Sequence, residues 1–462
     1  MSLRSLAELP GPRALPLVGN ALEIRPDTLH EVIERWSHQY GALCRVHLGP
    51  RNGILVADPE LINAILRDRP ERFRRLTALE GIARELGING LFSAEGAAWS
   101  RQRRAWMKAL NAHQVRPFFA TLTDTTRRLH CRWEQAARRG APIDVQDDLM
   151  RYTVDVTTRF AFGVESNTLE AEGDRIQQYL AQIFQAINDR LAAPVPYWRY
   201  LKLPKDRALD RAMAVVKDYV NSIIAEARQR LAADPAREAA PQNLLEALIV
   251  ARDDDGSAFT DEEILGNTLT ALLAGEDTTA NTLAWMIHLL CRNPMAQRQL
   301  QVRVDAALGN ERLWSELQDG DALGCVDAVM IETLRLKPVA PLLFLCACED
   351  VQIGNVAVPA GTDVLCSLRA PTRHEDRYPD AARFLPDRWL GQQKKFATQA
   401  PMPFGGGPRM CPGKNLATME VRSVASMLAR NFTVEETGDS RTTERMAFTL
   451  VPDGLRVRLI PR

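Results

Sequence analysis

Excess charge of either sign, an apolar run of membrane length at the start and paired cysteine spacing are all missing from this chain. Lysine plus arginine equals aspartate plus glutamate at 58 each over 462 residues. No global field therefore draws the protein to nucleic acid or to an anionic membrane. The opening stretch, "MSLRSLAELPGPRALPLVGNALEI", is broken by Pro10, Pro12 and Pro16. It offers neither the roughly 18 to 20 apolar residues of a membrane helix nor a continuous signal-peptide core. A cytoplasmic protein without a membrane anchor is the expectation. Cys44, Cys131, Cys291, Cys325, Cys346, Cys348, Cys366 and Cys411 are scattered without pairing in a chain long enough to need no disulfides. That pattern suits a reducing compartment. Linkers, low-complexity runs and repeats are lacking too, so residues 1–462 read as a single domain; a monomer is a separate expectation.

What is present is mostly helix. "LHEVIERWSHQYG" has apolar residues at helical spacing and ends on Gly41, while "LCRVHLG" and "NGILVAD" alternate as two strands around a turn at Pro50 to Gly53. From about residue 97 to 300 nearly every segment carries the helical period. Residues 193–206 and 233–242 are proline-bearing loops by the same reading. After Pro338 short strands follow, two of them joined across Gly354 and Asn355. An irregular passage then runs from Thr372 to Pro403, of a length that is usually functional or disordered.

One cysteine sits among residues that shape backbone: "PFGGGPRMCPG", residues 403–413, placed just before a helical "KNLATMEVRSVASMLARNF". Cys411 is expected at the mouth of that helix, with Pro412 as its first residue. Unpaired N–H groups and the helix dipole favour a thiolate there. A thiolate is a nucleophile or a metal ligand. A nucleophile calls for a nearby base, and His113, His288 and His374 are remote in sequence. A zinc site calls for further Cys or His, and the closest pair, Cys346 and Cys348, lies in a strand-like run. An inert buried cysteine is the plain alternative. A ligand to a bulky planar cofactor calls for glycines, a shielding aromatic and a cation, which Gly405 to Gly407, Phe404 and Arg409 supply.

The segment matches FxxGxRxCxG at each fixed position, and so resembles the heme-binding loop of the cytochrome P-450 family. The resemblance implies Cys411 as axial thiolate and metal ligand, Arg409 as a propionate partner, and Phe404 and Gly405 within the cofactor cradle. A second motif, "AGEDTTA" at 274–280, lies in an apolar run from Ile264 to Leu290. As a helix that run spans about 40 Å, and being apolar on all sides it should be central. Buried Gly275, Asp277 and Thr278 then mark either a kink with threonine hydroxyls bonded to carbonyls or a local opening over a ligand. The segment resembles the family's AGx(D/E)T, which implies that Thr278 orients a water and that Asp277 joins proton delivery.

Glu332 and Arg335 in "MIETLRL" are one helical turn apart, which by itself reads as a surface ion pair. The family's ExxR pattern implies instead a buried structural triad with Arg388 from "FLPDRWL". Trp99 and Arg103 in "AAWSRQRRAW" fit an amphipathic helix with a core tryptophan. The family's WxxxR implies that both contact heme propionates, and that Arg101, Arg104 and Lys108 form a basic docking patch for an acidic electron carrier. Two positions depart from the pattern. Leu345 stands where many relatives have another propionate arginine, and Thr372 stands where His or Asn often precedes Arg373.

The implied fold is mainly α, the triangular cytochrome P-450 domain with a small β-rich lobe. The implied activity is a monooxygenase of secondary metabolism with heme b (iron protoporphyrin IX) and dioxygen, inserting one oxygen atom into a lipophilic small molecule by hydroxylation or epoxidation. Electrons are expected from NAD(P)H through a separate ferredoxin or flavodoxin with its reductase. Ile88, Phe184, Leu272, Ala274, Leu343 and Leu450 are expected to line the substrate pocket, with Arg84, Glu85, Gln182, Gln185 and Asn188 as polar handles. A peroxide-driven or isomerising enzyme, and a non-catalytic heme sensor, are the alternatives.

Overall fold

The computed structural model describes all residues except 1–2, 17, 50, 112–114, 171–175, 194, 254–255, 317–321 and 392–400. His113, Pro50 and much of the irregular passage before the cysteine loop therefore lie outside the described residues.

A central helix, Asp261–Arg292, organises the helical body. Thr260 starts it with a capping box: its hydroxyl accepts from the Glu263 N–H at 3.2 Å, and the Glu263 carboxylate accepts from the Thr260 N–H at 2.8 Å. Three acids in the first turn complement the helix dipole. Nearly every residue from Ile264 to Leu290 is buried, as an all-round apolar helix requires. The helices Val145–Thr157, Gly324–Leu336 and Lys414–Asn431 pack on it. Close approach to the first of these depends on Gly275, where a Cβ would stand 2.5 Å from Thr157 Oγ1.

The smaller lobe is a five-stranded sheet in the order Leu43–Leu48, Arg51–Val56, Asp363–Ser367, Leu342–Ala347, Phe73–Arg75. In its outer pair Arg75 lies directly opposite Leu345. Val351–Ile353 and Val356–Val358 pair across Gly354, whose φ of +60° suits the turn. A hairpin, Thr443–Met446 with Leu450–Asp453, reaches back to the helical body: its Leu450 N–H donates to Val339 O and its Leu450 carbonyl accepts from Trp285 Nε1, both at 2.9 Å.

Two segments read as loops contain helix. Tyr197–Arg199 forms a short 3-10 turn and a long helix already begins at Pro204, because proline at the first position needs no N–H partner. Ala236–Ala239 is a single helical turn within the expected surface connection.

Candidate functional site

Two left-handed glycines and one backbone hydrogen bond build the cysteine loop. Gly405 and Gly407 adopt φ of +71° and +64°, a region costly to residues with a Cβ. At Gly407 a Cβ would also stand 2.1 Å from the carbonyl oxygen of Leu66, so the loop presses directly on the helix Pro59–Arg67. The Cys411 N–H donates to Phe404 O at 2.9 Å and closes the turn. The following helix begins at Lys414 with Gly413 as its cap, so Pro412 precedes the helix instead of being its first residue. The cause is local: the 3-10 turn Gly407–Arg409 ends in extended Met410, which carries the chain past Cys411 before helical dihedrals start.

Burial raises the Cys411 thiol above its usual range, opposed by the N–H groups of Gly413 and Lys414 and by the charges of Arg103 and Lys414. The thiolate therefore needs a further cation, which is what a coordinated metal supplies. Arg409 donates to Ala94 O at 2.8 Å and to Glu95 Oε2 at 2.5 Å, and its Cζ lies 4.6 Å over the Trp99 ring. Burial draws its pKa down to about 10 against the pull of Glu95. Yet its Nε and Nη1 are buried and have no acceptor. Arg103 and Trp99 likewise make no side-chain hydrogen bond among the described residues. Bare donors around a half-buried cysteine fit a ligand that brings its own carboxylates, and the two propionates of heme are such groups.

On the central helix Ala274 is exposed while Gly275 and Thr278 are half-buried, in a stretch otherwise closed to solvent. Only Asp277 of the three polar-motif positions is fully buried. The helix runs unbroken through the motif, without the local opening, and the Thr278 hydroxyl donates to the Ala274 carbonyl one turn earlier at 3.0 Å. Asp277 is held by the Thr449 hydroxyl and by Asn281 Nδ2 at 2.8 Å, and Asn281 Oδ1 accepts from half-buried Gln146 at 3.0 Å. Burial raises the Asp277 pKa, opposed by Thr449 and Asn281. Neighbouring Glu276 is buried with neither oxygen bonded, and burial, then the Asp277 charge, pushes its carboxyl well up. No hydrogen bond or ring contact among the described residues joins the Cys411 loop to Thr278.

Glu332 and Arg335 are wholly buried, not on the surface. Arg335 grips the carboxylate with two bonds of 2.9 Å and spends its remaining donors on the carbonyls of Thr372, Ala381 and Arg383. Arg388 Nε joins at 3.3 Å, and Trp389 Nε1 and the Leu385 N–H each donate to Glu332 at 2.9 Å. Sequence reasoning missed this use of Trp389. Thr372 belongs to the same knot, its hydroxyl donating to Arg335 O at 2.8 Å.

The expected pocket residues divide. Leu272 and Leu450 are fully buried among neighbours, and Ile88 and Phe184 nearly so, whereas Leu343 is half-buried and Ala274 exposed. Beside Leu450 it is Phe448 that retains exposure, stacked on Phe184 and edge-on to Phe92, each at 5.6 Å. The polar handles are mostly spent inside the chain: Arg84 on Glu80, Glu85 on Trp198 and Arg199, Gln185 on Asp189, and Asn188 on Met446 O. Gln182 is exposed. Arg101 and Arg104 pair with Asp253, and Arg101 also with Glu263, which leaves the basic face smaller than its sequence suggests.

Comparison with known proteins adds an independent line. The Cytochrome P450 family model matches residues 9–459. Pentalenene oxygenase of Streptomyces avermitilis is 29% identical over 467 residues, covering 100% of this chain and 99% of the relative. Cyclooctat-9-en-7-ol 5-monooxygenase of Streptomyces melanosporofaciens is 30% identical over 422 residues, covering 90% and 87%. The crystal structure of a cytochrome P450 (CYP102L1) superposes with a TM-score of 0.82 at 23% identity, over 98% of this chain and 99% of that one. Since sequence and fold agree along essentially the whole chain, this protein belongs to the cytochrome P450 family and is a P450 monooxygenase.

Proposed function

We propose that the chain hydroxylates or epoxidises a lipophilic metabolite with few polar groups, with Cys411 as the heme ligand and electrons drawn from NAD(P)H through a separate ferredoxin or flavodoxin. The balanced reaction takes substrate, dioxygen, two electrons and two protons to oxygenated substrate and water. Heme, when bound, supplies dioxygen activation and single-atom transfer. Arg409, Arg103 and Trp99 are the residues that would hold its carboxylates, and the glycine turn would let a planar group approach the backbone. The observation that carries this reading is the set of unanswered donors around Cys411: Arg409 Nε and Nη1 have no acceptor in the folded chain.

The remaining residues manage protons and exclude water. Burial keeps Asp277 proton-bearing at higher pH than an exposed aspartate, and its bonds to Thr449 and Asn281 lead by way of Gln146 toward the surface. Thr278 keeps its hydroxyl on the exposed side of the central helix beside Ala274. Phe92, Phe184 and Phe448 offer apolar contact, and most of the expected polar handles are already bonded within the chain, so recognition rests mainly on shape and burial. Relatives named for pentalenene and cyclooctat-9-en-7-ol support a substrate of this kind, a terpenoid among the chemistries that fit.

The test is turnover of apolar cyclic compounds with dioxygen, NADPH, ferredoxin and reductase. Reductant consumption matched by oxygenated product is expected. Turnover with hydrogen peroxide alone, and none with the reducing system, would contradict the monooxygenase cycle and support the peroxide-driven alternative.

A further inference from the structure

Positive charge around the cysteine loop is left unbalanced. Arg69, Arg75, Arg103 and Arg409 form a chain of electrostatic neighbours, with Glu95 as the carboxylate in their midst. Glu95 is already committed: Arg409 Nη2 donates to Oε2 at 2.5 Å and the Arg75 backbone N–H donates to Oε1 at 2.9 Å. The Arg75 guanidinium itself has no hydrogen bond or ion pair among the described residues. Its Nε is buried and bare, and its Cζ lies 3.7 Å from the centre of the Phe92 ring. A half-buried cation that packs on a ring, while its nearest carboxylate Glu95 is bonded to other donors, is a costly arrangement unless a further anion completes it.

Strand register shows which anion. Arg75 is paired directly opposite Leu345 across the antiparallel edge of the sheet. Directly opposite residues project to one face with Cβ atoms about 4.5–5.5 Å apart. Leu345 is the position at which the family resemblance calls for a propionate arginine, and the adjacent strand brings a guanidinium to the same place. Phe73, two residues before Arg75 and so on its face, belongs to the same buried cluster as Leu345 and Leu66. Leu66 in turn belongs to the helix on which Gly407 rests, so this face of the sheet adjoins the cysteine loop. Arg69 is the competing cation, but it is only 3% exposed, whereas Arg75 is half-buried.

We propose that Arg75 binds a heme propionate, taking over from one strand away the role of the arginine absent at position 345. The inference rests on the reading of Cys411 as heme ligand. It is tested on substrate-free holoprotein by heme transfer to excess apomyoglobin and by the midpoint potential of the bound heme, for wild type, Arg75→Gln, Arg75→Lys and the double variant Arg75→Gln with Leu345→Arg. Arg75→Gln should release heme about tenfold faster or more, as loss of a charge-assisted bond predicts. Its midpoint potential should shift as well. Arg75→Lys should fall between, and the added Leu345→Arg should restore retention, which a mere folding defect would not allow. Wild-type release from Arg75→Gln, or no recovery in the double variant, overturns the proposal while leaving the thiolate assignment intact. A wild-type protein without thiolate-bound heme overturns both.

Discussion

Asp277 shows how a single side chain is set by partners far away in sequence. Thr449, 172 residues later, and Asn281, one turn on, both bond to its carboxyl. Both bonds favour the ionised form, so removing one should raise the carboxyl pKa further. Thr449→Val should therefore move the limb of the pH–rate profile that depends on this acid to higher pH, with substrate binding retained; an unmoved limb would show that Asp277 does not govern it. The acid itself was legible from its motif, as were Cys411 and the Glu332–Arg335 pair. Thr449 and the bond from Trp389 to Glu332 were not, because each rests on a contact that only tertiary register creates, and the role proposed for Arg75 is of the same kind. Nothing in the three arginines of "RFRRL" marks Arg75 as the one that will lie across from Leu345.

At the scale of elements, hydrophobic period placed the central helix and the strands well, since burial on all sides or on alternate faces leaves its mark in order along the chain. Boundaries were less legible. The helix after the cysteine begins at Lys414 and not at Pro412, because glycine dihedrals upstream, invisible to periodicity, direct the chain. The two unusual glycines of the loop differ in a testable way. At Gly405 a Cβ meets nothing within 4 Å, so alanine there should cost only the left-handed backbone, about 1–2 kcal/mol. At Gly407 the Cβ meets Leu66 O at 2.1 Å, and overpacking adds about 1–3 kcal/mol. Thermal unfolding of the heme-free forms should rank Gly407→Ala well below Gly405→Ala. Equal midpoints would mean that the contact with the helix Pro59–Arg67 relaxes freely.

Over the whole molecule, stability leans on buried charge that joins distant segments. Glu444 on the Thr443–Met446 strand meets His30, Lys337 and Arg369, while Glu34 pairs with Arg369 and Arg373. Among the described residues His30, Glu31 and Glu444 also have metal-ligand spacing, but the arginine and lysine charges around Glu444 already answer it. Burial alone would raise the Glu444 pKa; the His30 bond and the charges of Arg369 and Lys337 outweigh it and hold the carboxyl well below the usual carboxylate range. A depressed pKa contributes stability above the unfolded value of about 4.3 and loses it as pH falls further. Urea unfolding of wild type and Glu444→Gln should thus differ most near neutral pH and converge toward acid. A gap that stays constant down to pH 3 would show that Glu444 acts by shape alone.

All of these scales meet in the claim that Cys411 presents a thiolate to heme iron. The carbon-monoxide difference spectrum of the reduced, purified protein reports that ligand directly. A strongly red-shifted Soret band in wild type, lost in Cys411→Ala, is the predicted result. A band typical of histidine or neutral thiol ligation in intact protein, or the red-shifted band persisting in Cys411→Ala, would contradict it.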